Sequence, residues 1–166
     1  MARDYFAEMY VAGVLADAGW NVYFPRRDQG FDFIITKQVG DRVLVRPVQV
    51  KGKYPELDKG DRATYGYIGD LTALHPDMVL AIPYFPTDIA SVAPTCVAYM
   101  PRAQVRPQQG RGWRCEPAKF SGGMAVPRRD FQQYFNRPGV AFMEQAGWEL
   151  SGALAELSAA ADAAGM

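Results

Sequence analysis

The residues able to do chemistry lie on two neighbouring stretches. Residues 28–53 read DQGFDFIITKQVGDRVLVRPVQVKGK. Asp32 interrupts the apolar run of Phe31, Phe33, Ile34 and Ile35, and Gln49 and Lys51 interrupt the valines of the following run. Successive strand residues point to opposite faces, so Gln49 and Lys51 share a face with one residue between them. A carboxylate, an amide oxygen and an ammonium at the ends of two paired strands suit a divalent cation. Mg2+ takes oxygen ligands, commonly one or two carboxylates with waters and substrate phosphate oxygens. Asp32 offers a carboxylate, Gln49 a neutral oxygen, and the Val50 backbone carbonyl completes that edge. Such an ion lowers the pKa of bound water and offsets charge on a phosphodiester oxygen. Lys51 would orient the attacking water or stabilise the developing negative charge.

A second carboxylate comes from the preceding segment. Residues 4–18 are predicted to be helical, with Asp4 as a cap, many alanines and long side chains, and Gly19 as terminator. At about 100° per residue, Tyr5, Met9, Val11, Ala12 and Leu15 fall on one arc, with Phe6, Tyr10, Gly13 and Asp17 opposite. Glu8 sits in the middle of that arc. A carboxylate on an apolar face is costly unless it is paired or binds a cation. The bland alternative is a half-exposed acid favoured by the helix dipole.

The strands that position these groups follow in order. Residues 21–25 form a short strand, a polar turn leads into residues 31–36, and Val39-Gly40-Asp41 signals a hairpin. The next strand covers residues 42–51 and contains Pro47, which cannot donate to a ladder, so a bulge or an edge is expected there. Residues 54–67 read as an exposed loop, 68–75 as a short helix, 77–85 as a buried strand and 86–94 as a loop. Residues 96–100 read as a further strand. Short helices are expected over residues 128–136 and 140–146, broken at Pro138-Gly139, and a last helix over 149–163. The order fits an α/β domain on a mixed sheet with helices on its faces.

Composition sets the outer bounds. The 166 residues suffice for one domain with a substantial core, and 49% hydrophobic with 22% charged residues excludes a disordered chain. Lys+Arg and Asp+Glu both number 18, so no overall basic excess points to a polyanion. The charge is nevertheless polarised: residues 102–129 hold seven basic residues and one acid, Glu116, whereas residues 144–166 hold four acids and no base. Within the basic segment, Arg111, Arg114, Lys119, Arg128 and Arg129, with Trp113 and Phe120 interspersed, are the candidates for contact with a nucleic-acid backbone. A solvated face is the competing reading. Lys53, just beyond Lys51, joins the candidate contacts, although its loop mixes both signs. Tyr65 and Tyr67 either stack on a base or pack. His75 is the only histidine, which leaves histidine-based metal sites and Ser-His-Asp chemistry without support. Cys96 and Cys115 lack metal-type spacing and are expected to be reduced thiols. No run approaches a membrane span or a signal pattern, so a cytoplasmic protein without membrane partners or a nucleotide cofactor is expected.

The ordered set of helix Glu8, the D28-Q-G-F-D32-F-I-I turn and strand, and V48-Q49-V50-K51 resembles the PD-(D/E)XK nuclease superfamily. Within it the likeness is to Mrr-like restriction endonucleases, with Gln for the second acid, and to archaeal Holliday junction resolvases, with a first-helix Glu. The resemblance spans roughly residues 4–85. It implies a restriction-endonuclease-like core in αβββαβ order over about 4–105, with a basic segment and helical extension over 106–166. It implies a Mg2+- or Mn2+-dependent DNA endonuclease in which Asp32 and Gln49 hold metal, Lys51 is catalytic and Glu8 is an accessory ligand. Asp28 occupies a turn position where similar sequences carry an acid. Because two strands must be cut, a homodimer is expected. Gln49 departs from the commoner Glu and removes one negative charge. A fold that keeps DNA or subunit binding without cleavage is therefore the rival reading.

Overall fold

The computed structural model describes residues 2–27, 30–55, 66–71, 74–87 and 92–152. The chain opens with helix α1, Ala2–Asp17. It stops at Gly19, whose φ of +94° is costly for a residue with a Cβ. The Gly19 and Trp20 N–H groups donate back to the carbonyls of Ala16 and Leu15, both at 3.0 Å, which satisfies the last turn.

Strands β1 (Asn21–Tyr23), β2 (Phe33–Val39) and β3 (Arg42–Val50) then form an antiparallel meander. β4 (Tyr67–Gly69) lies apart from it, and β5 (Val79–Tyr84) returns parallel to β3, pairing Val48 with Val79 and Val50 with Ala81. β6 (Cys96–Pro101) closes the far edge, giving a mixed five-stranded sheet in the order β1-β2-β3-β5-β6. The chain is an α/β protein with a mixed sheet. Among the described residues no helix is long and apolar enough to cross a membrane.

Alternation along β5 and β6 splits the core between the two faces of this sheet. Val48, Val50, Val79, Ala81, Val97 and Tyr99 pack with Ala7, Val11 and Leu15 of α1. Met78, Leu80, Ile82, Ala98 and Met100 pack on the other side. Helix α1 is rotated from its expected orientation. Phe6 and Tyr10 pack on the core while Tyr5 is 64% exposed, so the buried line runs through Ala7, Val11 and Leu15. Glu8 thereby moves from the middle of the apolar face to its flank, where its carboxylate reaches the end of the sheet rather than the core.

Pro47 lies in neither a bulge nor an edge strand, since β3 is central. It pairs in register with Ile34, and β5 joins β3 only from Val48 onward. The missing donor therefore falls where β3 has no second neighbour.

The second face departs further from the sequence expectation. The helix expected over residues 68–75 is absent at its start, where Ile68 lies in β4; residues 72 and 73 lie outside the described set, as do residues 56–65 of the expected loop. In the basic segment, where the sequence pointed to no element, β7 (Arg106–Pro107) and β8 (Trp113–Arg114) join β4 in a small sheet of order β4-β8-β7. β9 (Ala118–Ser121) and β10 (Met124–Pro127) form a hairpin beside it. Ile68, Cys115, Ala118 and Phe120 from these pieces cover the second face.

Arg129–Tyr134 is a 3-10 turn, and α2 (Asn136–Phe142) runs through Pro138-Gly139 instead of breaking there. Proline is tolerated because a first-turn N–H has no partner within the helix. Trp148–Leu150 is a 3-10 turn, and the rest of the helix expected over residues 149–163 lies outside the described residues from 153 onward. A buried cation pins α2 to the sheet: the Arg46 guanidinium, 3% exposed, donates to the Met143 carbonyl at 2.8 and 3.1 Å and lies 4.7 Å from the Trp148 ring centre.

Candidate metal centre

Asp32 stands directly before β2, opposite the end of β3. Its N–H donates to the Val48 carbonyl at 2.9 Å although Phe33 is the Cα partner of Val48. Two successive residues thus address one residue across the ladder, as in a β-bulge, a device that re-aims a side chain. The Asp32 carboxylate accepts the Val50 N–H at 2.6 Å, which locks it over the end of β3.

Beyond Val50 the chain continues beside β5. The Lys51 N–H donates to the Ala81 carbonyl at 2.9 Å, and the Lys53 N–H to the Pro83 carbonyl at 2.9 Å. Period-two alternation carries Gln49, Lys51 and Lys53 along one side. All three line a cavity of about 340 Å3, together with Glu8, Asp32 and Val50. The structure therefore brings together every residue that the sequence assigns to the metal and catalytic set. Asp28 lies outside the described residues.

The electrostatics of this cavity are unusual for a stable fold. Burial first, then the Asp32 charge and a hydrogen bond with the Asp32 carboxyl, and then the Asp4 charge, push the Glu8 pKa up to about 7. Like charges this close cannot both ionise cheaply, and the Glu8 carboxyl bears that cost. Gln49 is 9% exposed and its buried Oε1 has no hydrogen-bond partner among the described residues. An orphaned buried acceptor costs about 1–3 kcal/mol. Two facing carboxyls and an unpartnered amide oxygen are what a hard cation would relieve, and an all-oxygen donor set suits Mg2+ or Mn2+. Among the described residues no group of three or more His, Cys, Asp or Glu side chains gathers. A cation there would draw on two carboxyls, Asp32 and Glu8, with Gln49 Oε1 and the Val50 carbonyl as neutral donors lining the same cavity.

Other cavity residues were not assigned to the site from the sequence. Asp4, read as a helix cap, lines the cavity one turn from Glu8; the i, i+4 spacing of two acids was the available signal. Tyr67, Ile68 and Gly69 of β4 also line it, and the Lys53 ammonium donates to the Tyr67 carbonyl. His75 is exposed, and its Nδ1 accepts the Asp77 N–H at 3.1 Å in a turn. Cys96 and Cys115 are free buried thiols; burial raises both pKa values, Cys115 to about 12.

The basic segment is arranged differently from the site. Arg111 pairs with Asp70 at 2.6 Å, Arg114 with Glu116 at 2.6 Å, and Arg128 with Glu116 at 3.3 Å. The Arg102 guanidinium lies 5.1 Å from the Trp113 ring centre, and Phe120 is buried in the second core cluster. Lys119 and Arg129 are exposed and have no acidic partner among the described residues. The chain matches no protein-family model and no curated protein.

Proposed function

We propose that this protein is a metal-dependent phosphodiesterase acting on DNA, an endonuclease with a restriction-endonuclease-like core of the PD-(D/E)XK kind. The observation that carries the reading is the Glu8 carboxyl against that of Asp32, beside a Gln49 oxygen with no partner among the described residues and with Lys51 in the same cavity. Asp32, Glu8, Gln49 and the Val50 carbonyl would hold Mg2+ or Mn2+. When bound, that ion supplies charge to the phosphate oxygens and acidity to water.

The chain's own groups do the rest. The Val50 N–H fixes the Asp32 carboxylate, so the metal-facing oxygens are preorganised by backbone. Lys51, held by the Ala81 carbonyl through its own N–H, places an ammonium where negative charge grows as water adds to phosphorus and the sugar oxygen leaves. Because the Glu8 pKa is raised to about 7, its service as a ligand would make metal affinity depend on pH.

The test is nicking of supercoiled plasmid and branched DNA with Mg2+ or Mn2+, with Asp32→Ala and Lys51→Ala in parallel. Metal-dependent cutting abolished by both substitutions supports the reading. Cutting that survives both sinks the site. A second reading, a DNA-binding or subunit-interaction module that no longer cleaves, is favoured by neutral Gln49 and by the paired arginines. It predicts metal-dependent stabilisation without any cutting.

A further inference from the structure

The candidate metal centre is lined from two separate sheets, and one side chain joins them. Asp32, Gln49, Val50, Lys51 and Lys53 belong to the central sheet and its continuations, whereas Tyr67, Ile68 and Gly69 belong to β4 of the small sheet. Lys53 is anchored on the first. Its N–H donates to the Pro83 carbonyl and its carbonyl accepts the Phe85 N–H, both at 2.9 Å, in a parallel bridge with Tyr84. The preceding residue packs closely: a Cβ on Gly52 would stand 3.0 Å from the Tyr54 hydroxyl and 3.3 Å from the Phe85 ring, and those two rings stack at 4.7 Å.

From that base the Lys53 ammonium reaches the second sheet and donates to the Tyr67 carbonyl. The acceptor sits at an irregularity. Tyr67 pairs with Arg114 and Gly69 with Trp113, so two steps along β4 match one along β8, and Gly69 takes φ +81°. Such bulges disrupt the ladder and are frequent beside active sites. A disrupted ladder fixes β4 less firmly than a regular one. A hydrogen bond from a charged donor, about twice as strong as a neutral one, adds the constraint from outside.

We infer that Lys53 is a positioning residue of the reaction: its ammonium clasps β4 to the strand that carries Gln49 and Lys51, and so sets where the small sheet stands relative to metal and phosphate. The inference rests on the phosphodiesterase reading and gives Lys53 a task other than contact with a nucleic-acid phosphate. Lys51 lies two residues back on the same side and is tied to β5 by the same ladder, through its N–H to the Ala81 carbonyl. A shift at the clasp is therefore felt at the catalytic ammonium. Misplacing reacting groups by about 1 Å costs up to about a hundredfold in rate. A lost phosphate contact instead weakens binding and lowers its salt slope by about one.

The experiment sets wild type beside Lys53→Met, which keeps the stem and removes the donor, and Lys53→Arg, which keeps a charged donor. Lys53→Gln replaces the Met variant if that variant does not fold. Plasmid nicking with Mn2+ gives kcat and KM below each melting temperature, where a merely structural lysine leaves kcat unmoved. Binding of a fluorescein-labelled duplex with Ca2+ is followed across a salt series, and amide hydrogen exchange at residues 66–70 reads the clasp without activity. The expected result for Lys53→Met is kcat lowered about ten- to a hundredfold, KM and salt slope unchanged, and faster exchange at residues 66–70, with Lys53→Arg recovering most of the rate. A salt slope lowered by about one with kcat unmoved makes Lys53 a phosphate contact and overturns the inference. So does equal loss of rate in the Met and Arg variants, or unchanged kcat and exchange in Lys53→Met; each of these leaves the phosphodiesterase reading intact. A wild type that cuts nothing overturns both.

Discussion

Two charged regions of this molecule are built on opposite principles. At the sheet end, like charges face one another: Glu8 lies against Asp32, with Asp4 adding to the same field. In the segment beyond β6, three arginines are paired with acids, Arg114 and Arg128 with Glu116 and Arg111 with Asp70. The first arrangement costs the fold stability and is tolerable where a cation arrives to offset it. The second holds short β pieces together and demands no ligand. Counting basic residues along the chain pointed to the second region as the contact for a polyanion, whereas the unsatisfied groups lie in the first.

The largest expected effect tests the first region directly. Asp32→Ala and Lys51→Ala should each lower metal-dependent nicking by about a hundredfold or more, the scale of losing a preorganised electrostatic group. The measurement is initial rate on plasmid; unchanged rates would place the chemistry elsewhere.

Next in size is a pH effect of unusual sign. A carboxyl whose folded pKa lies near 7 instead of 4.5 binds more protons folded than unfolded. Metal-free stability should therefore fall as pH rises through that window, the reverse of an ion-paired acid. Glu8→Gln should flatten this slope and raise the melting temperature of the metal-free protein above neutral pH, while losing stabilisation by added Mn2+. Thermal melts from pH 5 to 8 with and without metal check both. A wild-type slope that rises over the window would show that the Glu8 pKa is not raised in the folded protein.

A smaller effect probes the second region. Glu116→Gln frees Arg114 and Arg128 from their shared acid, and several-fold tighter binding of DNA with a steeper salt dependence is expected. Affinity that stays level across a salt series would mean these arginines do not face the substrate. The smallest effect is expected from Asp70→Asn. Its pair with Arg111 is exposed at 51% and 81%, so the melting temperature should stay where it is. A measurable drop would show that the ion pair holds β4 in place.

The meander and its site were legible because their signals are local. Alternation places Gln49 and Lys51 together, the hairpin at Gly40 sets Asp32 opposite the end of β3, and β5 is an unbroken apolar run. The covering of the second face was not legible. Ile68 reads equally as helix or strand when alone, and β7 and β8 are strands of two residues whose pairing is decided by partners distant in sequence. Intrinsic preference over so few residues is too weak to outweigh tertiary contact. The rotation of α1 has the same origin: Tyr5 and Phe6 are neighbours of similar hydrophobicity, and the packed sheet selects Phe6.

By itself the sequence determined the strands of the meander, the acid and amide at their ends, and the neutral balance of charge. These follow from side-chain periodicity and composition, which need no partner. Only the tertiary structure decided that Glu8 meets Asp32, that Gln49 Oε1 is buried without a partner among the described residues, that Arg111, Arg114 and Arg128 are engaged by Asp70 and Glu116, and that Tyr67 lines the same cavity. Each is a contact between segments far apart along the chain. Its energy depends on burial and on distance, and neither exists until the sheet has closed against α1 on one face and the small β pieces on the other.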